Sequence, residues 1–197
     1  MTGSLPTSYF DAVYAANADP WGFETSAYEA GKYEQTLRAL AARRFGSAFE
    51  IGCSIGVLTE QLAARCDALL AVDASEAPLV RARGRCAHLR QVRLARMQVP
   101  DEFPTGRFDL VVTSEVAYYW STDDLSLASR RIEAALAPGG WWLLVHWTPP
   151  VHDYPLTGDQ VHDFVLGRSG DDAPLHQLSG RREASYRLDL FEKRAGR

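Results

Sequence analysis

The segment Phe49 to Thr59, FEIGCSIGVLT, constrains the fold of this chain more than any other. A short apolar run enters a turn bordered by Gly52 and Gly56, and a helical pattern with Leu58 and Leu62 on one side follows. Glycine is required in such a turn where a side chain would strike a ligand or force an unfavourable φ. About 20 residues on, the unbroken apolar run ALLAVDAS (Ala68 to Ser75) ends on Asp73, as a strand buried on both faces does. Strand, glycine turn, helix and a second strand closing on an acid is how a parallel α/β sheet with a nucleotide site at its carboxyl edge begins.

The turn itself admits three chemistries. Gly52-Cys53-Ser54-Ile55-Gly56 satisfies the G-x-S-x-G of a nucleophile elbow, with Ser54 as nucleophile. That elbow follows a central strand preceded by several others, and the aromatic segment before Phe49 offers neither those strands nor an oxyanion loop. The dinucleotide pattern G-x-G-x-x-G fails at Ser54 and Val57. The looser acidic-x-G-x-G-x-G of methyl-donor sites is met by Glu50, Gly52 and Gly56, and only Ser54 departs from it. Asp73 then falls where an acid accepts hydrogen bonds from ribose hydroxyls, with a helix N-cap as its alternative role.

The rest of the chain continues the alternation. Helical spacing over Lys32 to Phe45 places Tyr33, Leu37, Leu40 and Ala41 inward, and further helices are expected over Val57 to Arg65, Ser75 to Gly84 and Leu125 to Leu136. Strands are expected at QVRLARMQ, FDLVVTSE (Phe108 to Glu115) and WWLLVHW (Trp141 to Trp147). Pro138-Gly139-Gly140 reads as a stop signal, and a short helix is expected near Gln160 to Leu166. The tail reads as two strands about a turn at Ser179-Gly180. The expected fold is a Rossmann-like, doubly wound, mostly parallel seven-stranded sheet with an antiparallel C-terminal hairpin. It forms a single domain with an N-terminal helical cover over residues 1–45 and an acceptor-side loop and helix over 148–172.

Composition narrows the partners. A formal net charge of -4 gives no support for nucleic acid or an anionic membrane. The arginines between Arg81 and Arg96 read as a solvated face. Cys53, Cys66 and Cys86 are odd in number and lack C-x-x-C spacing, which fits a reducing compartment. With no basic-then-apolar leader and no apolar run of spanning length, a cytoplasmic monomer or homodimer is expected.

FEIGCSIGVLT, LLAVDAS, GRFDLVVTSEVAYYW and LAPGGWWLLVHW, in this order and spacing, resemble the class I S-adenosylmethionine-dependent methyltransferases over roughly Phe49 to Trp147. With DPWGFETSAYEAGKYEQTL before them and HW then DYPLTGDQVHDF after, the chain resembles more closely the NodS-like nodulation N-methyltransferases, over roughly Asp19 to Phe164. The resemblance implies S-adenosyl-L-methionine as cofactor, S-adenosyl-L-homocysteine as product and a small polar acceptor, an amine of an amino sugar or oligosaccharide. An oxygen or carboxylate acceptor is the second reading, and a cofactor-binding protein without chemistry or a serine hydrolase lies further off.

The same resemblance places Glu50, Gly52, Cys53, Ser54 and Gly56 around the methionine and ribose of the cofactor, Asp73 and Ala74 at the ribose, and Met97 and Gln98 at the adenine. Many relatives have an acid followed by a small residue where this chain has Arg96-Met97, so backbone contact with the adenine is expected, with core packing as the alternative for Met97. Trp21 and Tyr33 would cover the sulfonium or the amino-acid end, or else seal a helix against the sheet. Glu115, ending the fourth strand, would hold the acceptor nitrogen and border the cofactor, with Tyr118 and His146 in proton handling. A structural hydrogen bond is the alternative for Glu115, and a satisfied core histidine that for His146. Tyr28, Tyr119, Tyr154, Asp159 and His162 would line the acceptor, and Thr157 or Asp159 would cap the helix that follows. The histidines have no metal-site spacing, so no metal is expected.

Overall fold

The computed structural model describes residues 3–195. They divide into two compact units, Pro6–Gln98 and a second running from Val99 onward with the residues before Pro6.

In the first unit the elements are α1 (Thr7–Ala16), α2 (Ala27–Ala39), β1 (Ala48–Ile51), α3 (Val57–Leu62), β2 (Leu69–Asp73), α4 (Glu76–Cys86) and β3 (Val92–Arg96). β1 pairs parallel with β2, Glu50 opposite Ala71, and β2 pairs parallel with β3, Asp73 opposite Arg96. α2 starts and stops earlier than the periodicity predicts, because the Ser26 hydroxyl accepts from Glu29 N and fixes the first turn upstream of Lys32. Tyr33 and Leu40 are buried as expected, but Ala41 lies beyond the helix, exposed and at φ +49°.

The second unit contains β4 (Phe108–Ser114), α5 (Thr122–Ala135), β5 (Leu136–Trp147), α6 (Gly158–Leu166), β6 (Leu175–Arg182) and β7 (Tyr186–Lys193), with a 3-10 turn at Ala117–Tyr119. β4 and β5 are parallel, whereas β7 runs antiparallel to both β5 and β6. The strand order is β3-β2-β1-β4-β5-β7-β6, a seven-stranded, mostly parallel sheet with an antiparallel edge.

Two turn signals turn out to lie inside strands. α5 ends at Ala135 and β5 begins at once, at Leu136, so Pro138-Gly139-Gly140 lies within the strand. The three residues form a bulge, over which the register passes from Phe108 opposite Leu136 to Leu110 opposite Trp141. Gly139 takes φ +72° there, and a Cβ on Gly140 would stand 3.1 Å from Phe108 O. Ser179-Gly180 likewise lies within β6, and the hairpin reverses after Arg182, where Glu183 N donates to Tyr186 O at 2.8 Å. Gly180 supplies room rather than a turn, since a Cβ on it would stand 2.6 Å from Asp189 Oδ1.

Candidate active site

The glycine turn is built by the end of β2. Gly52 N and Cys53 N both donate to Val72 O, at 2.8 and 2.9 Å, so the chain leaves β1 sharply. Gly52 and Gly56 sit at φ +80°, and a Cβ on Gly56 would come within 3.0 Å of Ala82 Cβ on α4. Ser54 also has positive φ, +49°. Its N–H donates to Asp73 Oδ2 at 3.0 Å, and Ser75 N donates to Asp73 Oδ1 at 2.9 Å. The cap of α4 is Ser75, which accepts from Ala77 N, so the N-cap alternative for Asp73 does not hold.

Helix α1 reaches this edge through one polar face. Thr7, Asp11 and Tyr14, at i, i+4 and i+7, engage Gln98 Oε1 (3.3 Å), the Ser75 hydroxyl (2.6 Å) and Ser54 Oγ (2.5 Å) respectively. Burial, then the nearby Asp73 charge, pushes the Tyr14 hydroxyl above its usual range, so it stays protonated near neutral pH and takes no proton from Ser54. Ser54 is a residue of the turn whose N–H meets Asp73 and whose hydroxyl meets Tyr14, and the nucleophile-elbow match is incidental. Sequence reading missed Tyr14 and Asp11 because neither lies in the glycine-turn motif.

Burial raises two carboxyls here. Glu50 is pushed up to about 7, opposed by the nearby Thr59 hydroxyl, and its Oε2 is buried with no hydrogen-bond partner among the described residues. Asp73 is pushed up to about 6, opposed by the backbone N–H groups of Ser75 and Ser54. An orphaned buried carboxylate oxygen beside two left-handed glycines is a receptor for a donor or cation brought in by a ligand. These residues therefore fit an amino-acid-bearing nucleoside such as S-adenosyl-L-methionine.

The neighbouring expectations divide. Trp21 stands in a row of rings, 5.7 Å from Tyr14 and 5.6 Å from Phe23, which lies 6.5 Å from the buried Tyr33. Asp19 holds that segment, accepting from Phe23 N and Glu24 N. Tyr28 is exposed beneath Lys32, outside the row. The Cys53 side chain packs with Ala71 and Leu79, leaving only its backbone for a ligand. Met97 is half-buried with its N–H on Asp73 O, and Ala74 is half-buried after Asp73. Arg81 and Arg85 pair with Glu24, and Arg83 with Glu76.

In the second unit Glu115 follows β4 at φ +54°, a conformation that costs a non-glycine residue about 1–3 kcal/mol and gathers at functional sites. Its Oε2 accepts from Tyr118 OH at 2.6 Å and from Trp147 N at 2.9 Å. Tyr118 stacks on Tyr154 at 5.1 Å, and Tyr119 meets both rings edge-on at 4.7 Å. Burial and the adjoining Glu115 charge push the Tyr118 hydroxyl well up, so it serves as a donor.

His146 and His162 do not fill the expected roles. Both are fully buried. His146 accepts from Ala117 N at Nε2 (3.2 Å) and meets His162 Nε2 through Nδ1 (3.1 Å), so both nitrogens are engaged inside the protein and neither is available to an acceptor proton. His162 bonds Asp189 Oδ2 through Nδ1 at 2.6 Å, which removes it from sugar binding. Asp159 is tied to Arg182, and the Arg182 guanidinium holds its carboxyl below the usual range. Thr157 caps α6 in a reciprocal box with Gln160. Among the described residues no group of three or more His, Cys, Asp or Glu could hold a metal ion, and no helix is long and apolar enough to cross a membrane.

Sheet order, glycine turn and acid-terminated second strand define the Rossmann-like fold of the class I methyltransferases. The family model of Nodulation protein S (NodS) matches residues 13–144, and the chain belongs to that family. It is 36% identical over 124 residues to Nodulation protein S of Bradyrhizobium diazoefficiens, covering 61% of this chain and 58% of that one. To Nodulation protein S of Sinorhizobium fredii it is 31% identical over 127 residues, covering 64% of this chain and 59% of that one. The chain thus spans less than two thirds of the length of these curated relatives. The crystal structure of N-methyltransferase NodS from Bradyrhizobium japonicum WM9, in complex with S-adenosyl-L-homocysteine, superimposes with a TM-score of 0.82 at 23% identity, covering 95% of this chain and 97% of that one.

Proposed function

We propose that this chain is an S-adenosyl-L-methionine-dependent N-methyltransferase whose acceptor is a small polar amine, of the amino-sugar class. The observation that carries the reading is the turn from Glu50 to Gly56, with its orphaned buried carboxylate and its direct tie to Asp73. Family membership and the N-methyltransferase described for the Bradyrhizobium japonicum relative support it.

The cofactor, when bound, supplies the electrophilic methyl group. The protein's own task is to bind, align and exclude water. Glu50 receives the ammonium of the amino-acid end, and Asp73 receives ribose hydroxyls on the lone pairs that Ser54 N and Ser75 N leave open. Glu115, oriented by Tyr118 OH and Trp147 N, holds the acceptor nitrogen, and the Tyr118, Tyr119 and Tyr154 rings offer apolar faces to a sugar.

A thermal-shift titration with S-adenosyl-L-homocysteine tests the cofactor. At 100 times Kd the folded chain gains about 2.7 kcal/mol by mass action and the melting temperature rises. No shift, with a nicotinamide dinucleotide stabilising instead, would overturn the assignment. Methylation of glucosamine oligomers but not of their N-acetylated forms is the result expected for an amine acceptor, and methylation of both points to oxygen.

The raised carboxyls give a pH dependence. Before the ligand binds, Glu50 and Asp73 hold protons up to about 7 and about 6, above the unfolded range of roughly 4, so they lower stability as pH rises through that window. A ligand that donates to them favours the charged forms and expels those protons. Affinity for S-adenosyl-L-homocysteine is therefore expected to rise from pH 5.5 to 7.5. Calorimetry in buffers of different ionisation enthalpy should register proton release, and proton uptake would contradict the assignment.

A further inference from the structure

We infer that His146, His162 and Asp189 form a relay of fixed polarity that positions the Ala117–Tyr119 turn, and through it Glu115 and Tyr118; calling that turn catalytic rests on the function proposed above. The polarity follows from the two ends. Ala117 N–H can only donate, so His146 Nε2 is its acceptor and His146 carries its proton on Nδ1. That proton points to His162 Nε2, which must accept, so His162 also carries its proton on Nδ1 and gives it to Asp189 Oδ2. Each tautomer is dictated by the bond the other nitrogen makes.

The far end is built to be an acceptor. Asp189 is buried in β7, where Gln177 donates to Oδ1 at 2.9 Å and Arg187 Nε lies 2.7 Å from Oδ2. Gly180 leaves the space in which the Asp189–Gln177 bond forms. The near end is coupled to the site. The His146 ring stands edge-on to Tyr118 at 5.4 Å, and Leu156 N donates to Tyr118 O at 3.1 Å. Gly158 lets α6 close against the end of β5, which brings His162 to His146.

Neither ring can take a second proton without losing a link. A proton on His146 Nε2 would oppose Ala117 N–H, and one on His162 Nε2 would oppose His146 Nδ1–H. Among the described residues, the charged and titratable groups around the pair include Glu115 and Tyr118 before α5, Asp159 and Asp163 on α6, and Arg187 and Asp189 on β7. Burial holds His162 below its ordinary range, with the Asp189 bond opposing, consistent with a neutral pair. His146, His162 and Asp189 are thus positioning residues and exchange no proton with the acceptor.

Nitrogen-15 NMR of the full chain, labelled at histidine, tests the polarity without reference to activity. Both buried rings are expected in the Nδ1–H form, unchanged from pH 7.5 down to about 5.5, across the ordinary imidazole pKa of about 6.5. An Nε2–H tautomer, or a charged ring in the folded chain, would overturn the relay. Asp189→Asn and His162→Asn test the positioning role. A loss of kcat on the order of 10²-fold, the cost of misplacing a reacting group by about 1 Å, is expected with KM for the cofactor and binding of S-adenosyl-L-homocysteine unchanged. Wild-type kcat, or an equal loss of cofactor binding, counts against it. If neither variant folds, the tautomers decide. If the wild-type chain binds no S-adenosyl-L-homocysteine and methylates no amine, the proposed function fails while the tautomer result still judges the relay.

Discussion

Glu115→Gln is expected to lower kcat by about 10²- to 10⁴-fold, the range that a positioned proton-handling group contributes, while binding of S-adenosyl-L-homocysteine stays unchanged. The substitution is informative because an amide oxygen in the place of Oε2 can still accept from Tyr118 OH and Trp147 N. The turn and its left-handed residue are preserved, and only the charge and its proton capacity disappear. Single-turnover kinetics alongside calorimetric titration separates the outcomes. Full rate in the variant would remove Glu115 from the mechanism, and a parallel loss of cofactor affinity would make it a cofactor ligand instead.

Gly158→Ala is expected to destabilise the chain by about 3 kcal/mol or more, the upper range for overpacking. A Cβ there would lie 2.1 Å from Trp147 O and 3.1 Å from His146 Cβ, and the first of these is backbone that no rotamer change can clear. α6 would have to lift from β5, carrying His162 with it. Gly31→Ala is the matched control, since Gly31 lies within α2 with nothing within 4 Å of its would-be Cβ. That change is expected to stabilise the chain by about 0.5–1 kcal/mol. Urea denaturation of both variants provides the comparison, and a Gly158→Ala chain as stable as wild type would contradict the close approach.

Where local chemistry decides the structure, the sequence was readable. The Glu50 to Gly56 turn, Asp73 and the parallel strands announce themselves by φ-demanding glycines and by apolar runs that only a doubly covered sheet tolerates. Helix ends were less legible, because Ser26 outranked the apolar spacing at the start of α2. Turn signals misled where glycine serves space instead of reversal. Pro138-Gly139-Gly140 became a bulge, and Gly180 became the hollow beside Asp189.

The least legible residues act by pairings across sequence distance. Tyr14 meets Ser54 across 40 positions, and His162 meets Asp189 across 27. Asp189 sits in a strand whose alternation marks Tyr186, Leu188 and Leu190 as inward, yet β7 is covered on both faces and Asp189 is buried too. Histidines in HW and DQVH suggested an acceptor site because side-chain type was visible, whereas the partners that occupy both nitrogens were not.

Helix α1 carries a different consequence. None of its residues is fully buried, and Thr7, Asp11 and Tyr14 reach their partners through hydrogen bonds at the strand edge, with the half-buried Tyr14 ring against Trp21 as well. A segment attached in this way belongs to the low end of the range of local opening free energies. Substitutions at these three positions are therefore expected to speed hydrogen exchange in α1 more than in β1, β2 and β3, and equal protection lost in the strands would contradict this.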